Sequence, residues 1–96
     1  HFGDVVVDLD RRSVIRAGDL VHLTPIEYRL LTFLIAHTGR VLTHRQIQRE
    51  VWGPGYGESG HTLRVYVGRL RHKLESDPAR PQHLLTETGV GYRMEI

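Results

Sequence analysis

Cysteine is absent from this chain, and no apolar run approaches the roughly 20 residues that cross a membrane as a helix. The missing thiols exclude disulfides, thiolate metal ligands and cysteine nucleophiles, and we expect a cytoplasmic protein with no membrane segment. A length of 96 residues predicts one domain with a single core, spanning residues 1–96. Because the chain opens with His1 rather than Met, we expect it to be part of a longer protein.

Acidic residues are missing from the stretch Gly60 to Leu74, which holds four of the thirteen Lys and Arg of the chain. The whole chain is +2, so the remainder, with nine basic and eleven acidic residues, sums to −2. At helical spacing one stripe of this stretch is apolar and consists of Leu63, Val67, Leu70 and Leu74. The opposite arc consists of His61, Thr62, Val65, Gly68, Arg69, His72 and Lys73, with Arg64 and Arg71 on one flank and Tyr66 on the other. The stretch therefore predicts an amphipathic helix with a basic face.

A basic helical face of this kind is typical of a helix that enters the DNA major groove, where it neutralises phosphates and presents side chains to base edges. The alternative is a basic face that binds an acidic protein partner. Small or apolar groups at Thr62 and Val65 beside Arg69 favour DNA, because they suit thymine methyl groups and guanine edges. Gly68 costs about 1 kcal/mol relative to Ala in a helix, which suggests close approach to a groove.

The chain before the basic stretch predicts a small antiparallel sheet. Alternation of Val5, Val7 and Leu9 with polar neighbours indicates a first strand. Ser13 to Arg16 indicates a second strand, and Leu20 to Leu23 a third strand after a turn.

Two capping boxes predict the first two helices. Thr24-Pro25-Ile26-Glu27 combines a threonine N-cap, a proline at the first helical position and a glutamate partner, and this helix should stop near Gly39. Thr43 to Gln46 repeats the box and opens a shorter helix that ends at Trp52.

A glycine-rich loop and a closing hairpin complete the predicted architecture. Residues 53–60 are too long for a tight turn and join the short helix to the basic helix. Leu84 to Thr86 and Tyr92 to Ile96 indicate two strands around the turn residues 88–91. We expect an α+β fold, a winged helix-turn-helix with an N-terminal antiparallel sheet, three helices and a C-terminal hairpin wing.

The sequence indicates no catalytic or metal chemistry. No two of the seven histidines have the His-x-x-x-His spacing of a helical metal site, and His61 and His72 lie about three turns apart. Gly89-Val90-Gly91 is half of a dinucleotide fingerprint, lies between strands and is interpreted as turn glycine. The serines lack a nucleophile elbow. We expect no enzyme activity, no cofactor and no metal.

Four runs resemble the effector domain of OmpR/PhoB-type response regulators: LTPIEYRLL from Leu23, VLTHRQI from Val41, VYVGRLRHKL from Val65 and TGVGYR from Thr88. The resemblance covers essentially the whole chain in the same order. It implies a four-stranded N-terminal sheet, three helices and a wing behind a phosphorylatable receiver domain that this chain lacks. The implied partners are double-stranded DNA with direct-repeat half-sites, a second copy held through the absent receiver, and RNA polymerase through Tyr56 and Glu58 of the 53–60 loop.

The resemblance also implies roles for individual residues. Arg69 matches the position that reaches base edges. Thr43 and Trp52 lie where the second helix anchors the DNA backbone. Thr88 stands where many relatives insert an arginine in the minor groove, so readout by the wing is not implied. The residues predicted to contact DNA are Thr43, Trp52, His61, Thr62, Arg64, Val65, Tyr66, Arg69, Arg71, Lys73, Thr86, Thr88 and Tyr92.

Overall fold

The computed structural model describes residues 1–54 and 60–96. Two small antiparallel sheets enclose three helices, which confirms the predicted α+β winged-helix architecture. In chain order the elements are β1 (Val5–Asp8), β2 (Ser13–Arg16), β3 (Asp19–Val21), α1 (Pro25–Ala36), β4 (Leu42–Thr43), α2 (His44–Trp52), α3 (Gly60–Leu74), β5 (Leu84–Glu87) and β6 (Gly91–Met94).

The N-terminal sheet has the order β1-β2-β3. Between β2 and β3, Ala17 and Gly18 both have positive φ, 50° and 86°, as a two-residue hairpin turn requires. The tight turn lets Arg16 pair with Asp19, so β3 begins one residue earlier than predicted and ends at Val21. The fourth strand implied by the family resemblance is not found in this sheet among the described residues.

Leu9 is a correction to the predicted first strand. The strand ends at Asp8, whose carboxylate Oδ1 accepts hydrogen bonds from the Asp10 and Arg11 amides at 3.0 and 3.1 Å. This side-chain turn diverts the backbone from extended structure. Leu9 is therefore 60% exposed instead of continuing the buried face.

Both predicted capping boxes are confirmed. In α1 the Thr24 amide donates to Glu27 Oε1 at 2.9 Å, and the Glu27 amide donates to Thr24 Oγ1 at 3.3 Å. In α2 Thr43 and Gln46 make the same reciprocal pair at 2.8 and 3.0 Å. Helix α2 ends at Trp52 as predicted, whereas α1 ends at Ala36, before the expected stop near Gly39.

The C-terminal wing contains a strand that the sequence analysis missed. β4 pairs with β6, so the sheet has the order β4-β6-β5. Gly89, with φ of 77°, is a turn glycine as predicted. Gly91 is a correction, because it lies within β6, where an added Cβ would approach the Leu42 carbonyl oxygen to 1.8 Å. This glycine permits the close passage of β4.

The predicted apolar stripe of α3 lies in the core. Its four residues, Leu63, Val67, Leu70 and Leu74, are at most 5% exposed and pack with α1, α2 and the inner faces of both sheets. Burial of each such side chain contributes about 1.5–3 kcal/mol. Because this stripe faces inward, the opposite face of α3 faces outward.

A buried carboxylate fixes the segment after α3. Glu75 is 4% exposed and accepts hydrogen bonds from the backbone amides of Gln82, His83 and Leu84 at 3.0, 3.1 and 2.8 Å. Buried polar groups require such partners. The connection between α3 and β5 is thereby pinned to the end of the helix, which positions the wing.

Candidate nucleic-acid interface

The outward face of α3 carries a stripe of four residues at helical spacing: Val65, Gly68, Arg69 and His72. Val65 is 37% exposed, and both Arg69 and His72 are exposed. In the described part of the chain, no heavy atom beyond the adjacent residues and backbone of α3 itself lies within 4 Å of the position that a Cβ on Gly68 would occupy. An open groove of about 600 Å³ runs along this stripe and is bounded by Thr24 and Glu27 at the start of α1 and by Lys73.

Three side chains stack beside this stripe. The Trp52 ring at the end of α2 contacts the Tyr66 ring edge-on, with centroids 5.4 Å apart and planes at 69°. The Arg69 guanidinium carbon lies 4.9 Å from the centroid of the Tyr66 ring. A cation over an aromatic face gains about 0.5–1 kcal/mol at an exposed site. The stack therefore orients Arg69 while leaving it exposed.

Arg71 connects α3 to the wing. Its Nε and Nη2 donate to the Leu84 carbonyl oxygen at 3.0 and 2.9 Å, and Nη2 also donates to Thr86 Oγ1 at 2.7 Å. Burial lowers the pKa of Arg71, while Tyr92 and Glu75 partly offset that effect. The guanidinium is thus a strut between helix and wing, in addition to the DNA contact predicted for it.

Lys73, which is predicted to contact DNA, also has a partner within the chain. Its Nζ lies 2.6 Å from Glu27 Oε1 and donates to the His22 carbonyl oxygen at 2.9 Å. The Glu27 side chain is 2% exposed, so the ammonium neutralises a buried charge. Burial raises the pKa of Glu27, but hydrogen bonds from Lys73 and the Thr24 amide and the attraction of Lys73 outweigh it and lower the pKa overall. Lys73 therefore belongs to the α1–α3 contact.

The other residues predicted to contact DNA divide by exposure. Tyr92 is 5% exposed and its ring packs against His44 and Arg71, and contact with DNA stays a prediction for this residue. Thr62 is half-buried near the start of α3. Tyr56 and Glu58 lie outside the described residues. The predicted residues that are exposed are Thr43, His61, Arg64, Thr86 and Thr88.

The sequence analysis overlooked two further cations. Arg45 and Arg49 are exposed and lie one turn apart on α2. Their spacing of four residues could have indicated from the sequence that both lie on one face of this helix.

Across the described part of the chain, no helix is long and apolar enough to cross a membrane, and no three His, Asp or Glu side chains converge as metal ligands.

Residues 18–94 match the family model described as "Transcriptional regulatory protein, C terminal". The chain belongs to this family. Its members of OmpR/PhoB type are effector domains of response regulators that regulate transcription, and they are not enzymes.

Curated relatives agree with the family assignment. The chain is 58% identical over 95 residues to the KDP operon transcriptional regulatory protein KdpE of Escherichia coli K12, covering 99% of this chain and 42% of that protein. It is 49% identical over 89 residues to KdpE of Mycobacterium tuberculosis (strain CDC 1551 / Oshkosh), covering 93% of this chain and 39% of that protein. The chain thus spans about two fifths of these relatives.

Solved structures of the family share the fold. The response regulator DrrB of Thermotoga maritima, an OmpR/PhoB homologue, superposes with a TM-score of 0.90 at 30% identity, over 99% of this chain and 43% of that chain. The Klebsiella pneumoniae RstA DNA-binding domain, solved in complex with the RstA box, superposes with a TM-score of 0.87 at 25% identity, over 99% and 94%. These likenesses confirm the winged-helix fold.

Proposed function

We propose that this domain binds double-stranded DNA in a sequence-specific manner as the effector domain of a two-component response regulator, with α3 in the major groove. The observation that carries the proposal is the outward stripe of α3, where Arg69 is exposed and oriented by Tyr66, directly opposite the buried stripe. A helix presented in this way can reach base edges. The RstA domain, of the same fold, was solved on its DNA box.

Exposed polar and charged side chains supply the phosphate contacts in this proposal. Arg64 lies exposed on the flank of the same helix, and Thr43 is exposed at the start of α2. Thr86 and Thr88 are exposed on the wing, where they contact the adjacent backbone or the minor groove. Phosphate contacts position the protein, whereas Arg69 and Val65 read sequence.

The parent protein in this proposal is a cytoplasmic regulator of a potassium-transport operon. The support is the 58% identity to a protein whose name is KDP operon transcriptional regulatory protein. Two copies occupy direct-repeat half-sites about one helical turn apart, because one recognition helix reads too few base pairs for adequate specificity. In the parent protein a receiver domain holds the copies together and raises the effective concentration at the second half-site. RNA polymerase contacts residues 53–60, including Tyr56 and Glu58.

The test begins with selection of bound duplexes from a random-sequence library with the 96-residue domain. The selected duplex and a scrambled duplex are then titrated at several salt concentrations. We expect the selected duplex to bind at least a hundredfold more tightly than the scrambled one. Affinity for both should fall linearly with the logarithm of salt concentration.

Two outcomes would overturn the proposal. Equal affinity for selected and scrambled duplexes would show that the domain does not bind DNA in a sequence-specific manner. A flat salt response would instead favour the alternative, in which the basic face binds an acidic protein. The half-site arrangement has its own test: inversion of the second half-site should weaken binding, and undiminished binding would contradict the direct repeat.

A further inference from the structure

The function of Gly68 is not explained by the fold. It lies in the middle of α3, outside the set of residues with positive φ, so its backbone conformation does not require glycine. Among the described residues, no heavy atom beyond the adjacent residues and backbone of the same helix lies within 4 Å of the position of an added Cβ, so packing does not require glycine either. Glycine in a helix interior costs stability relative to alanine. Neither backbone conformation nor packing among the described residues accounts for this glycine.

The space above Gly68 is the open groove along the outward stripe of α3. Val65 and Arg69 flank the glycine on that stripe. Glu27 also borders the groove, but its carboxylate is held by Lys73 at 2.6 Å. The groove therefore presents no uncompensated negative charge that would repel a polyanion.

The chemistry of this groove indicates an apolar occupant. Gly68 is in mid-helix, where its amide is committed to the helical hydrogen-bond pattern, so the floor of the groove presents Cα rather than a donor. Val65 adds an aliphatic wall that is 37% exposed. The donor side chains that line the groove are those of Arg69, His72 and Lys73, and Lys73 is held by Glu27. In the major groove the apolar group that a protein can contact is the C5-methyl of thymine.

We infer that Gly68 and Val65 form a specificity slot that receives the C5-methyl group of a thymine, next to the base pair that Arg69 contacts. The inference rests on the proposed function and names what that function reads. Absence of the Cβ at position 68 lets the methyl group approach the helix. An alanine methyl would occupy the same space as the thymine methyl.

The experiment uses the duplex obtained by selection and replaces each thymine in turn with uracil, which removes only the methyl group. At one thymine in the half-site, affinity should fall about fourfold, the effect of removing one methylene-sized apolar contact. Gly68→Ala should weaken binding to the thymine duplex and lose its sensitivity to uracil at that position. Gly68→Leu, whose side chain also projects into open space, should weaken binding further.

Controls separate folding from recognition. Gly68→Ala should raise the thermal unfolding midpoint, since it removes a helix-interior glycine. Thr32→Ala on α1 also raises helix propensity, and it should leave both affinity and uracil sensitivity unchanged. A gain in stability with a loss of affinity is a combination that general destabilisation does not produce.

The results distinguish the two proposals. If the wild-type domain prefers its selected duplex but no uracil substitution changes affinity, or if Gly68→Ala binds as tightly as wild type, the slot is wrong and the proposed function stands. If the wild-type domain does not distinguish selected from scrambled duplex, the proposed function fails and the slot fails with it.

Discussion

The two halves of α3 use the same residue types for different purposes. From His61 to Arg69 the helix presents exposed cations, Arg64 and Arg69, to the outside. From Arg71 to Leu74 the charged side chains bind other parts of the same chain, Arg71 the wing and Lys73 the start of α1. Just beyond the helix, Glu75 accepts hydrogen bonds from three backbone amides. The first half is available to a partner, and the second half holds the helix in place.

This difference shows that a count of charges along a helix overstates the charge available for binding. Of the four Lys and Arg in the stretch, Arg71 and Lys73 have their charged groups hydrogen-bonded within the protein. The engaged pair also has a benefit for recognition, because it fixes α3 relative to both α1 and the wing. Variants at Arg71 and Lys73 should therefore lower the stability of the protein. Variants at Arg64 and Arg69 should instead weaken DNA binding.

The largest effect should come from Lys73→Met. This change leaves the buried Glu27 carboxylate without its ammonium partner. We expect the free energy of unfolding to fall by roughly 2–3 kcal/mol at neutral pH. The loss is near the low end for a buried ion pair because Lys73 is partly exposed. Urea unfolding measures this. DNA affinity per folded molecule and its salt slope should remain unchanged.

The same variant gives a pH test. The pKa of Glu27 is lowered in the folded state, so the pair stabilises the protein above the unfolded carboxyl pKa, and this contribution is lost as pH falls through the folded pKa. The difference between wild type and Lys73→Met should therefore shrink in acid. Lys73→Arg should retain most of the stability, and a constant difference at all pH values would contradict the ion-pair interpretation.

Arg71→Ala should have the next largest effect. The side chain donates three hydrogen bonds to Leu84 and Thr86, and loss of a charged donor set of this kind costs about 2 kcal/mol of stability. Unfolding monitored by circular dichroism checks the loss. Thr86→Val removes only the hydroxyl acceptor and serves as a milder control. If Arg71→Ala were as stable as wild type, the hydrogen bonds of Arg71 would not hold the wing to α3.

Arg69→Ala should leave stability nearly unchanged and weaken binding. On the selected duplex we expect a loss of roughly 1.5 kcal/mol, with a smaller loss on scrambled DNA, because a base contact contributes discrimination as well as affinity. Fluorescence anisotropy titrations on both duplexes measure the difference. Equal losses would show that Arg69 contacts phosphate alone.

Arg64→Ala should have the smallest effect. As an exposed phosphate contact it should weaken binding to all duplexes alike, by about 0.5–1 kcal/mol, and reduce the salt slope by about one unit. Arg29→Ala, an exposed arginine on α1, is the matched control and should leave the slope unchanged. An unchanged slope for Arg64→Ala would place this residue outside the interface.

Local signals in the sequence predicted the elements well where the cause was also local. The boxes at Thr24 and Thr43 were correct because each cap is made within four residues, by side chains that bond to nearby amides. Strand β4 escaped notice because two residues are too few for periodicity. Its pairing with β6 joins Leu42 to Tyr92, fifty residues away in the chain.

The candidate site shows the same division. Periodicity predicted which stripe of α3 is buried, and the exposed positions of Arg64, Val65 and Arg69 follow from it. The sequence could not show that Lys73 would reach Glu27 or that Tyr92 would be buried. Both depend on how α1 and the wing pack against α3.

Spacing and caps within a few residues were sufficient to predict the three helices, the inward stripe of the basic helix and the family of the chain. Which cations are bound within the protein depends instead on tertiary packing. A side chain as long as Lys or Arg can reach a partner several ångströms away, so its availability depends on neighbours from distant parts of the chain. For Lys73 that neighbour is a carboxylate 46 residues earlier, and for Arg71 it is the Leu84 carbonyl oxygen 13 residues later.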